Sequence, residues 1–211
     1  MTRVKVCGIT NLSDALAALD AGADMLGFNF YRRSPRYVSP LEARRVVERL
    51  PGGVSCVGVF VNEPAPVDVI DIARAAGLDA VQLHGDETPE FCRGLRGLTT
   101  IKALRVGADY TPESAAAYDT DAVLLDAYVA GARGGTGHTF DWALATLTRE
   151  RVPRLLLAGG LNPDNVSAAV AAVRPYAVDV CSGVETSPGR KSPELMRRFV
   201  NEVAGIRGAG V

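Results

Sequence analysis

Short apolar runs alternate with amphipathic helical patterns along the whole chain of 211 residues. This alternation predicts repeated βα units and therefore a parallel sheet. Eight such units follow one another without a linker or a change in composition, which predicts a single (β/α)8 TIM barrel with a parallel eight-stranded sheet. A doubly wound open sheet is the alternative, but its phosphate-binding glycines are expected early in the chain, whereas here they lie late.

The predicted strands are short, and each is followed by a predicted helix. The strands cover residues 3–7, 24–30, 54–61, 79–83, 100–104, 121–126, 154–158 and 177–181. The helices cover residues 13–21, 40–50, 66–76, 88–96, 112–117, 141–148, 163–173 and 193–204. An N-cap residue precedes a proline at three helix starts: Ser39-Pro40, Asn162-Pro163 and Ser192-Pro193. We expect one domain over residues 1–205 and a flexible, glycine-rich tail over 206–211.

Composition and charge argue against several classes of partner. Only 6% of the residues are aromatic and the net charge is −1, so we expect neither a stacking surface nor a basic field for nucleic acid. No stretch reaches the roughly 18 apolar residues of a membrane span. The four cysteines are widely separated and lack metal-ligand spacing, which favours a reduced, cytoplasmic protein without a metal.

Three segments, 24–29, 79–84 and 121–126, share a spacing in which an aspartate precedes an apolar strand and a polar residue follows five positions later. Strand alternation predicts that Asn29, His84 and Asp126 ring the mouth of the barrel, together with Cys7 at the end of the first strand. This end of a (β/α)8 barrel carries the active site. The alternate residues are expected to face the helices, namely Leu26, Phe28, Val81, Leu83, Val123 and Leu125.

Each of these strand-end residues has a functional and a structural interpretation. Burial of Asp126 after an apolar strand would raise its carboxyl pKa and suit it to donate a proton, although a structural aspartate is the alternative. His84 either orients a substrate or is structural. Cys7 is either a reacting thiol or a small buried hydrophobic residue.

The loops after the last three predicted strands are rich in glycine, at 131–137, 159–160 and 183. Glycine lets backbone amides approach an anion, and (β/α)8 barrels often hold phosphate after strands seven and eight. The segment from Glu185 to Gly189 is expected to add a helical turn directed at the phosphate. The arginine-rich loop 31–37 is either solvated or binds a substrate carboxylate.

A series of motifs spans almost the whole chain in order. They are Lys5–Thr10, Gly27–Tyr31, Ser34–Tyr37, Gly58–Asn62, Val81–Gly85, Leu124–Asp126, Gly134–Trp142, Gly159–Pro163 and Asp179–Glu185. In these motifs the chain resembles the phosphoribosylanthranilate isomerase family of tryptophan biosynthesis. The resemblance implies an Amadori rearrangement of N-(5-phosphoribosyl)anthranilate to 1-(2-carboxyphenylamino)-1-deoxyribulose 5-phosphate, with no metal or organic cofactor.

The resemblance also implies roles for individual residues. Asp126 matches the general acid of the family and Cys7 matches its general base. The positions implied to bind the substrate are Arg36, which matches the residue for the anthranilate carboxylate, His84, Gly135, Gly159, Gly160, Asp179, Ser182 and Gly183. His138 departs from the lysine of many family members, which puts a side-chain contact there in doubt.

Other interpretations stay open at this point. A histidine-pathway or dual-specificity sugar-phosphate isomerase would perform related chemistry, although the histidine-pathway enzyme has an aspartate where Cys7 stands. A non-catalytic barrel that binds a phosphorylated metabolite would need the anion anchors but neither Cys7 nor Asp126. The oligomeric state is either a monomer or a homodimer. Lys5, about 7 Å from Cys7 along the strand, either favours the thiolate or pairs with a carboxylate inside the barrel.

Overall fold

The computed structural model describes residues 1–126 and 142–208. Within these ranges eight parallel strands pair in chain order, and the last pairs with the first to close a barrel. The strands are β1 Arg3–Val6, β2 Met25–Asn29, β3 Ser55–Phe60, β4 Ala80–Leu83, β5 Thr99–Arg105, β6 Ala122–Asp126, β7 Leu155–Ala158 and β8 Ala177–Val180. The TIM barrel predicted from the alternating pattern is confirmed.

The helices lie between the strands in sequence, and a small hairpin interrupts the alternation after β8. The α-helices are α1 Leu12–Asp20, α2 Pro40–Val47, α3 Pro66–Ala76, α4 Pro89–Arg93, α5 Pro112–Ala116, α6 Trp142–Arg149, α7 Val166–Val173 and α8 Pro193–Gly208. A 3₁₀ turn, Ser182–Val184, leads into an antiparallel hairpin made of β9 Glu185–Ser187 and β10 Arg190–Lys191. No helix in the described part of the chain has the length and apolar character needed to cross a membrane.

Strand alternation divides the core into two apolar layers. The layer between strands and helices contains all six residues predicted to face the helices, for example Leu26, Val81 and Leu125, each completely buried. A separate, smaller cluster fills the inside of the barrel and includes Met25 and Leu124. The period-two pattern therefore predicts correctly which side of the barrel wall each of these residues occupies.

The aspartates at the starts of the three repeated segments join neighbouring strands. Asp24 accepts the backbone N–H of Val4, Asp79 accepts that of Cys56, and Asp121 accepts that of Thr100, each at 2.8 Å. In each case the donor lies one strand earlier in the barrel. These side chains satisfy backbone donors at the N-terminal end of the barrel, which the ladder leaves without a strand partner.

Two of the three predicted helix starts are confirmed. Ser39 forms a capping box with Glu42 at the start of α2, and the Ser192 hydroxyl accepts the N–H of Leu195 in the first turn of α8. The helix predicted to begin at Asn162-Pro163 instead begins at Val166. The Asn162 side chain accepts the N–H of Asp164, so a side-chain-bonded turn replaces the first helical turn.

Two other boundaries differ from the prediction. The last helix reaches Gly208, beyond the predicted end at 204, because Ile206 packs against the core and carries the helix past Gly205. The division into a domain of residues 1–205 and a flexible tail stays a prediction, and residues 209–211 lie outside the described ranges. Cys7 and Cys181 each lie one residue beyond the end of a strand predicted to include them.

Candidate active site

A cavity of about 240 Å³ opens at the C-terminal ends of the strands. Cys7, Asn29, His84 and Asp126 line it, as the shared spacing of the three segments predicts. A larger cavity of about 700 Å³ lies at the opposite end, where β5, β6 and β7 begin. The smaller cavity is the candidate active site, because catalytic residues of (β/α)8 barrels come from the C-terminal ends of strands.

Cys7 is held at this mouth by the barrel ladder and by two glycines. Its backbone N–H donates to the carbonyl oxygen of Val180 at 2.8 Å, which fixes it against β8. A side chain at Gly27 would place its Cβ 2.7 Å from Cys7 Sγ, so β2 leaves room for the thiol. Gly8 follows with a φ of 75°, and a Cβ there would lie 2.6 Å from Arg36 Cδ. The Cys7 thiol therefore packs directly against the backbone of Gly27, and the Arg36 side chain packs against the backbone of Gly8.

The surroundings of Cys7 favour its thiolate. A hydrogen bond from the Cys181 side chain is the largest influence and lowers the pKa of Cys7 below the usual value of a thiol. Burial and the Asp179 carboxylate act in the opposite direction, but the ammonium groups of Lys5 and Lys191 reinforce the hydrogen bond. The same hydrogen bond raises the pKa of Cys181, so Cys181 is the protonated partner of the two. Lys5 therefore contributes to the thiolate, and Cys181 contributes more.

Lys5 lies below Cys7 and forms an ion pair inside the barrel. Its Nζ is 2.8 Å from Asp179 Oδ1, and the lysine side chain is completely buried. Burial opposes the charge on Lys5, but attraction to Asp179 and to the Cys7 thiolate outweighs it, so the pKa of Lys5 is raised. The two interpretations of Lys5 left open by the sequence are therefore compatible, since its ammonium serves the ion pair and the thiol together.

His84 links the buried Gln82 to Asp126. Gln82 Nε2 lies 2.8 Å from His84 Nδ1, and His84 Nε2 lies 3.2 Å from Asp126 Oδ2. An amide NH2 group only donates, so Nδ1 is the acceptor and the N–H of the ring is on Nε2, directed at Asp126. Among the residues that the structure describes, Gln82 Oε1 is a buried acceptor without a hydrogen-bond partner, and Gln82 lines the cavity.

A buried ion pair behind the cavity supports the loop that carries His84. Lys102 Nζ donates to Glu87 Oε2 at 2.6 Å and to the carbonyl oxygen of Gly85 at 2.7 Å. Glu87 in turn accepts the backbone N–H groups of Gly85 and Asn62. The loop after β4 is therefore tied to β5 and to the end of β3. This pair fixes the backbone on which His84 is mounted.

Arg36 is fixed by a carboxylate on the hairpin that follows β8. Its Nε and Nη2 donate to Glu185 Oε1 and Oε2 at 2.8 and 2.6 Å, a two-pronged pair. Glu185 Oε1 also accepts from Lys191 Nζ at 2.8 Å. The hydrogen bonds to Glu185 raise the pKa of Arg36 and keep it charged. A guanidinium has five N–H donors, and this pair uses one edge of it.

The predicted phosphate loops after β7 and β8 meet at the cavity. Gly159 and Gly160 have φ of 87° and 67°, and both line the cavity together with Ser182. A Cβ on Gly183 would lie 2.0 Å from the carbonyl oxygen of Leu161, so glycine is required where the two loops touch. Gly135 and His138 lie within residues 127–141, outside the described ranges.

One prediction for these loops is wrong. The segment from Glu185 to Gly189 is not helical, because Glu185–Ser187 pairs with Arg190–Lys191 and Gly189, with a φ of 79°, lies in the turn. The helical turn lies earlier, at Ser182–Val184. The hairpin brings Glu185 and Lys191 to Arg36, a contact between residues 149 positions apart.

Several residues around the cavity were missed by the sequence analysis. The motif Asp179–Glu185 contains Cys181 and Glu185, and Lys191 lies shortly after it. The contacts of Glu185 with Arg36 and Lys191 arise only when the hairpin forms. Gln82 is enclosed in an apolar strand, and its polarity at that position was the available signal. No group of three or more histidine, cysteine or acidic side chains in the described ranges is arranged to hold a metal ion. That the protein needs no metal or organic cofactor stays a prediction.

Comparison with known proteins identifies relatives along nearly the whole chain. Residues 4–202 match the family model described as N-(5'-phosphoribosyl)anthranilate (PRA) isomerase. The N-(5'-phosphoribosyl)anthranilate isomerase of Citrifermentans bemidjiense is 52% identical over 207 residues, covering 98% of each chain. The crystal structure of phosphoribosyl anthranilate isomerase from Thermotoga maritima superposes with a TM-score of 0.90 at 48% identity, covering 97% of this chain and 100% of that one. A solved complex with reduced 1-(o-carboxyphenylamino)-1-deoxyribulose 5-phosphate has a TM-score of 0.87 at 46% identity, with 97% and 100% covered.

Proposed function

This chain belongs to the N-(5'-phosphoribosyl)anthranilate isomerase family, and we propose that Asp126 and Cys7 are the acid and the base of its reaction. It is an isomerase of tryptophan biosynthesis and converts N-(5-phosphoribosyl)anthranilate into 1-(2-carboxyphenylamino)-1-deoxyribulose 5-phosphate. This Amadori rearrangement moves a carbonyl group from C1 to C2 of the sugar. Its steps are proton transfers, which positioned side chains accelerate.

Asp126 protonates the oxygen of the ribose ring. The bond from C1 to that oxygen then breaks, and the lone pair of the anthranilate nitrogen forms a Schiff base at C1. His84 supports this step through the contact of its Nε2 with Asp126 Oδ2 at 3.2 Å. When Asp126 has given up its proton, the same N–H stabilises the new carboxylate, because a hydrogen bond to the charged form favours that form.

Cys7 removes the proton from C2 of the Schiff base as its thiolate. The electrons of the C–H bond move toward the protonated nitrogen and produce an enolamine, which tautomerises to the ketone. A thiol accepts a proton only after it has lost its own, so the hydrogen bond from Cys181 and the charge of Lys5 prepare the base. The lowered pKa of Cys7 makes the thiolate available near neutral pH.

Two anion sites hold the substrate between these groups. The edge of Arg36 that is not bonded to Glu185 binds the anthranilate carboxylate, and the loops that contain Gly159, Gly160 and Ser182 bind the phosphate. Gly183 allows these loops to touch, while Asp179 lies at the base of the cavity. Anchoring a substrate at both ends places the reacting sugar near the acid and the base and reduces the entropic barrier.

The observation that carries this proposal is that Cys7 and Asp126 line one cavity together with Arg36 and the two glycine loops. The test is the loss of substrate fluorescence on turnover of phosphoribosylanthranilate. Cys7→Ala and Asp126→Ala should each lower kcat by about 10² to 10⁴. Full activity in either variant would remove that residue from the mechanism.

A matched control and a second substrate sharpen the test. Asp119→Asn changes an exposed carboxylate near the start of β6, at the opposite end from Asp126, and should keep the activity of the parent protein. Turnover of the histidine-pathway aminoaldose by the same preparation would establish dual specificity. An inactive parent protein that still binds the phosphorylated substrate would favour the non-catalytic barrel.

Three further predictions concern the setting of this reaction. A cytoplasmic location, the absence of a nucleic acid partner and a monomeric or homodimeric state are expected from the sequence and stay predictions. Gel filtration of the full chain with light scattering measures the oligomeric state directly.

A further inference from the structure

Cys7 and Cys181 are neighbours across the seam between β1 and β8. The N–H of Cys7 donates to the carbonyl oxygen of Val180 at 2.8 Å, which sets Cys7 level with Cys181 in the parallel ladder. Adjacent strands lie about 4.8 Å apart, within the range of Cα separations that a disulfide spans, roughly 4.4 to 6.8 Å. Both side chains line the same cavity, and each thiol is the largest influence on the pKa of the other.

The charges around this pair favour a reactive sulfur. The buried ammonium of Lys5 and the ammonium of Lys191, whose Nζ is 3.8 Å from Cys181 Sγ, act on the two thiols. Arg36 adds a third cation near the pair. Two carboxylates oppose these cations, since Asp179 pairs with Lys5 and Glu185 pairs with Arg36 and Lys191. A thiolate in cationic surroundings is the form of cysteine that peroxides attack.

The two thiols are more exposed than the other two, at 8% for Cys7 and in the intermediate range for Cys181. Cys7 and Cys181 both line the cavity at the barrel mouth. Cys56 and Cys92 are each 3% exposed in the layer between strands and helices, and burial raises the pKa of both. Cys92 also borders the larger cavity at the opposite end of the barrel, so its low reactivity is expected from its raised pKa. A small oxidant that enters the cavity at the barrel mouth therefore meets Cys7 and Cys181. Cys56 and Cys92 serve as internal controls for the rate of thiol oxidation.

We propose that Cys7 is a site of reversible oxidation by hydroperoxides and that Cys181 resolves the oxidised form as an intramolecular disulfide. The Cys7 thiolate attacks one oxygen of hydrogen peroxide, an S–O bond forms, the O–O bond breaks and hydroxide leaves, giving a sulfenic acid. The Cys181 sulfur then attacks Cys7 Sγ, an S–S bond forms and the S–O bond breaks. The proton of Cys181 leaves with the departing oxygen as water. The two sulfurs lose two electrons and the peroxide gains them.

This modification is separate from the isomerisation, but it would remove the base that we propose for it. A disulfide leaves Cys7 without a lone thiolate to accept the C2 proton, and a thiol reductant restores it. The alternative fate of a sulfenic acid without a partner thiol is further oxidation, which reductants do not reverse. Cys181 thus decides whether oxidation of Cys7 is recoverable.

The test treats the reduced full-length protein with hydrogen peroxide at pH 7, blocks the remaining thiols by alkylation and maps the peptides by mass spectrometry. We expect a peptide pair linked through Cys7 and Cys181, lighter than the reduced pair by two hydrogen atoms. Cys7 should react at least about tenfold faster than Cys56 or Cys92, because its thiolate fraction is larger. Equal rates at all four cysteines, or oxidation of Cys7 without the linked pair, would overturn the proposal. This mapping needs no substrate, so it succeeds or fails independently of the proposed acid and base roles.

Cys181→Ser provides the matched variant, since it removes the resolving sulfur and keeps a hydroxyl donor. Each protein is compared with its own activity before oxidation. The parent should regain most of its activity after treatment with dithiothreitol, whereas Cys181→Ser should stay inactive and carry sulfinic acid on Cys7. Equal recovery of the two proteins contradicts a resolving role for Cys181.

Discussion

Lys5 and Asp179 face each other inside the barrel across the β1–β8 seam, with 2.8 Å between Nζ and Oδ1. The strand register pairs the two residues directly. Cys7 and Cys181 follow two residues later, one residue beyond the ends of the same strands, and continue the alternation so that they face the same way. The seam therefore stacks a buried ion pair beneath a pair of thiols, and the charge of Lys5 acts on both layers.

Lys5→Met should move the pH dependence of catalysis and lower stability. A base works above its pKa, so kcat/KM rises with pH through the pKa of Cys7, which the surroundings hold below the usual thiol value of about 8.5. Removing the Lys5 ammonium raises the pKa of Cys7. The acidic limb of the pH profile of kcat/KM should therefore shift to higher pH by roughly one pH unit or more. Breaking the buried pair should also cost about 3 to 5 kcal/mol in the free energy of unfolding.

The variant Lys5→Met/Asp179→Asn separates these two effects. It leaves no uncompensated carboxylate, so the stability measured in urea should recover in part. The upward shift of the acidic limb should persist but become smaller, because Asp179 itself raises the pKa of Cys7. An acidic limb in Lys5→Met that matches the parent protein would exclude Lys5 from the preparation of the base.

Glu185→Gln should weaken binding of the anthranilate group through Arg36. The substitution removes the charge that holds the guanidinium from one edge, where Nε and Nη2 donate at 2.8 and 2.6 Å. We expect the inhibition constant of free anthranilate to rise about tenfold, the effect of losing roughly 1.4 kcal/mol of charged hydrogen bonding. Arg33→Ala changes an exposed arginine of the same loop and should leave this constant unchanged. Equal effects of the two substitutions would argue against a specific role for the Arg36–Glu185 pair.

The strand-end residues could be predicted from sequence because their position depends only on local alternation. Asn29 and Asp126 end an apolar strand and His84 follows one, and the closed sheet brings equivalent strand ends to one mouth. The helix-facing residues follow from the same period of two. These features need the fold class and the register of each strand, and nothing more.

The partners of the charged residues could not be predicted in this way. Arg36 meets Glu185 only because residues 185–191 form a hairpin, and a short run with three charged residues and a glycine is equally compatible with a helical turn. Lys102 and Glu87 form a buried ion pair although they are 15 positions apart in the sequence, with Lys102 on β5 and Glu87 in the loop after β4. Such contacts depend on how loops fold over the barrel, which residue patterns do not determine.

Gln82→Glu should reverse the tautomer of His84. In the parent protein the amide of Gln82 donates to Nδ1 at 2.8 Å, which leaves the ring proton on Nε2. A carboxylate at position 82 only accepts, so the proton would move to Nδ1 and the donor to Asp126 would be lost. Nitrogen chemical shifts of His84 report the tautomer, and His138→Gln assigns the signals of the two histidines in the chain. We expect kcat to fall about tenfold or more, because the general acid Asp126 loses the hydrogen bond from His84. An unchanged tautomer of His84 would show that Gln82 does not determine the hydrogen bond from His84 to Asp126.

Glu87→Gln should destabilise the protein more than a matched change on the surface. Lys102 and Glu87 are 1% and 2% exposed, so the substitution leaves an ammonium buried without its counter-charge. We expect a loss of about 3 to 5 kcal/mol in urea unfolding. Glu90→Gln breaks an exposed pair with Arg93 nearby in the chain and should leave the unfolding curve unchanged. A similar loss in both variants would show that burial is not the cause.

Gly183→Ala should loosen the phosphate loops and weaken phosphate binding. The new Cβ would lie 2.0 Å from the carbonyl oxygen of Leu161, so the loops after β7 and β8 have to move apart. We expect a stability loss of about 1 to 3 kcal/mol, typical of overpacking, and a weaker competitive inhibition by inorganic phosphate. Gly107→Ala introduces the same methyl group where no atom lies within 4 Å, and it should change neither quantity. Unaltered phosphate inhibition in a destabilised Gly183→Ala protein would indicate that the contact between the loops serves the fold alone.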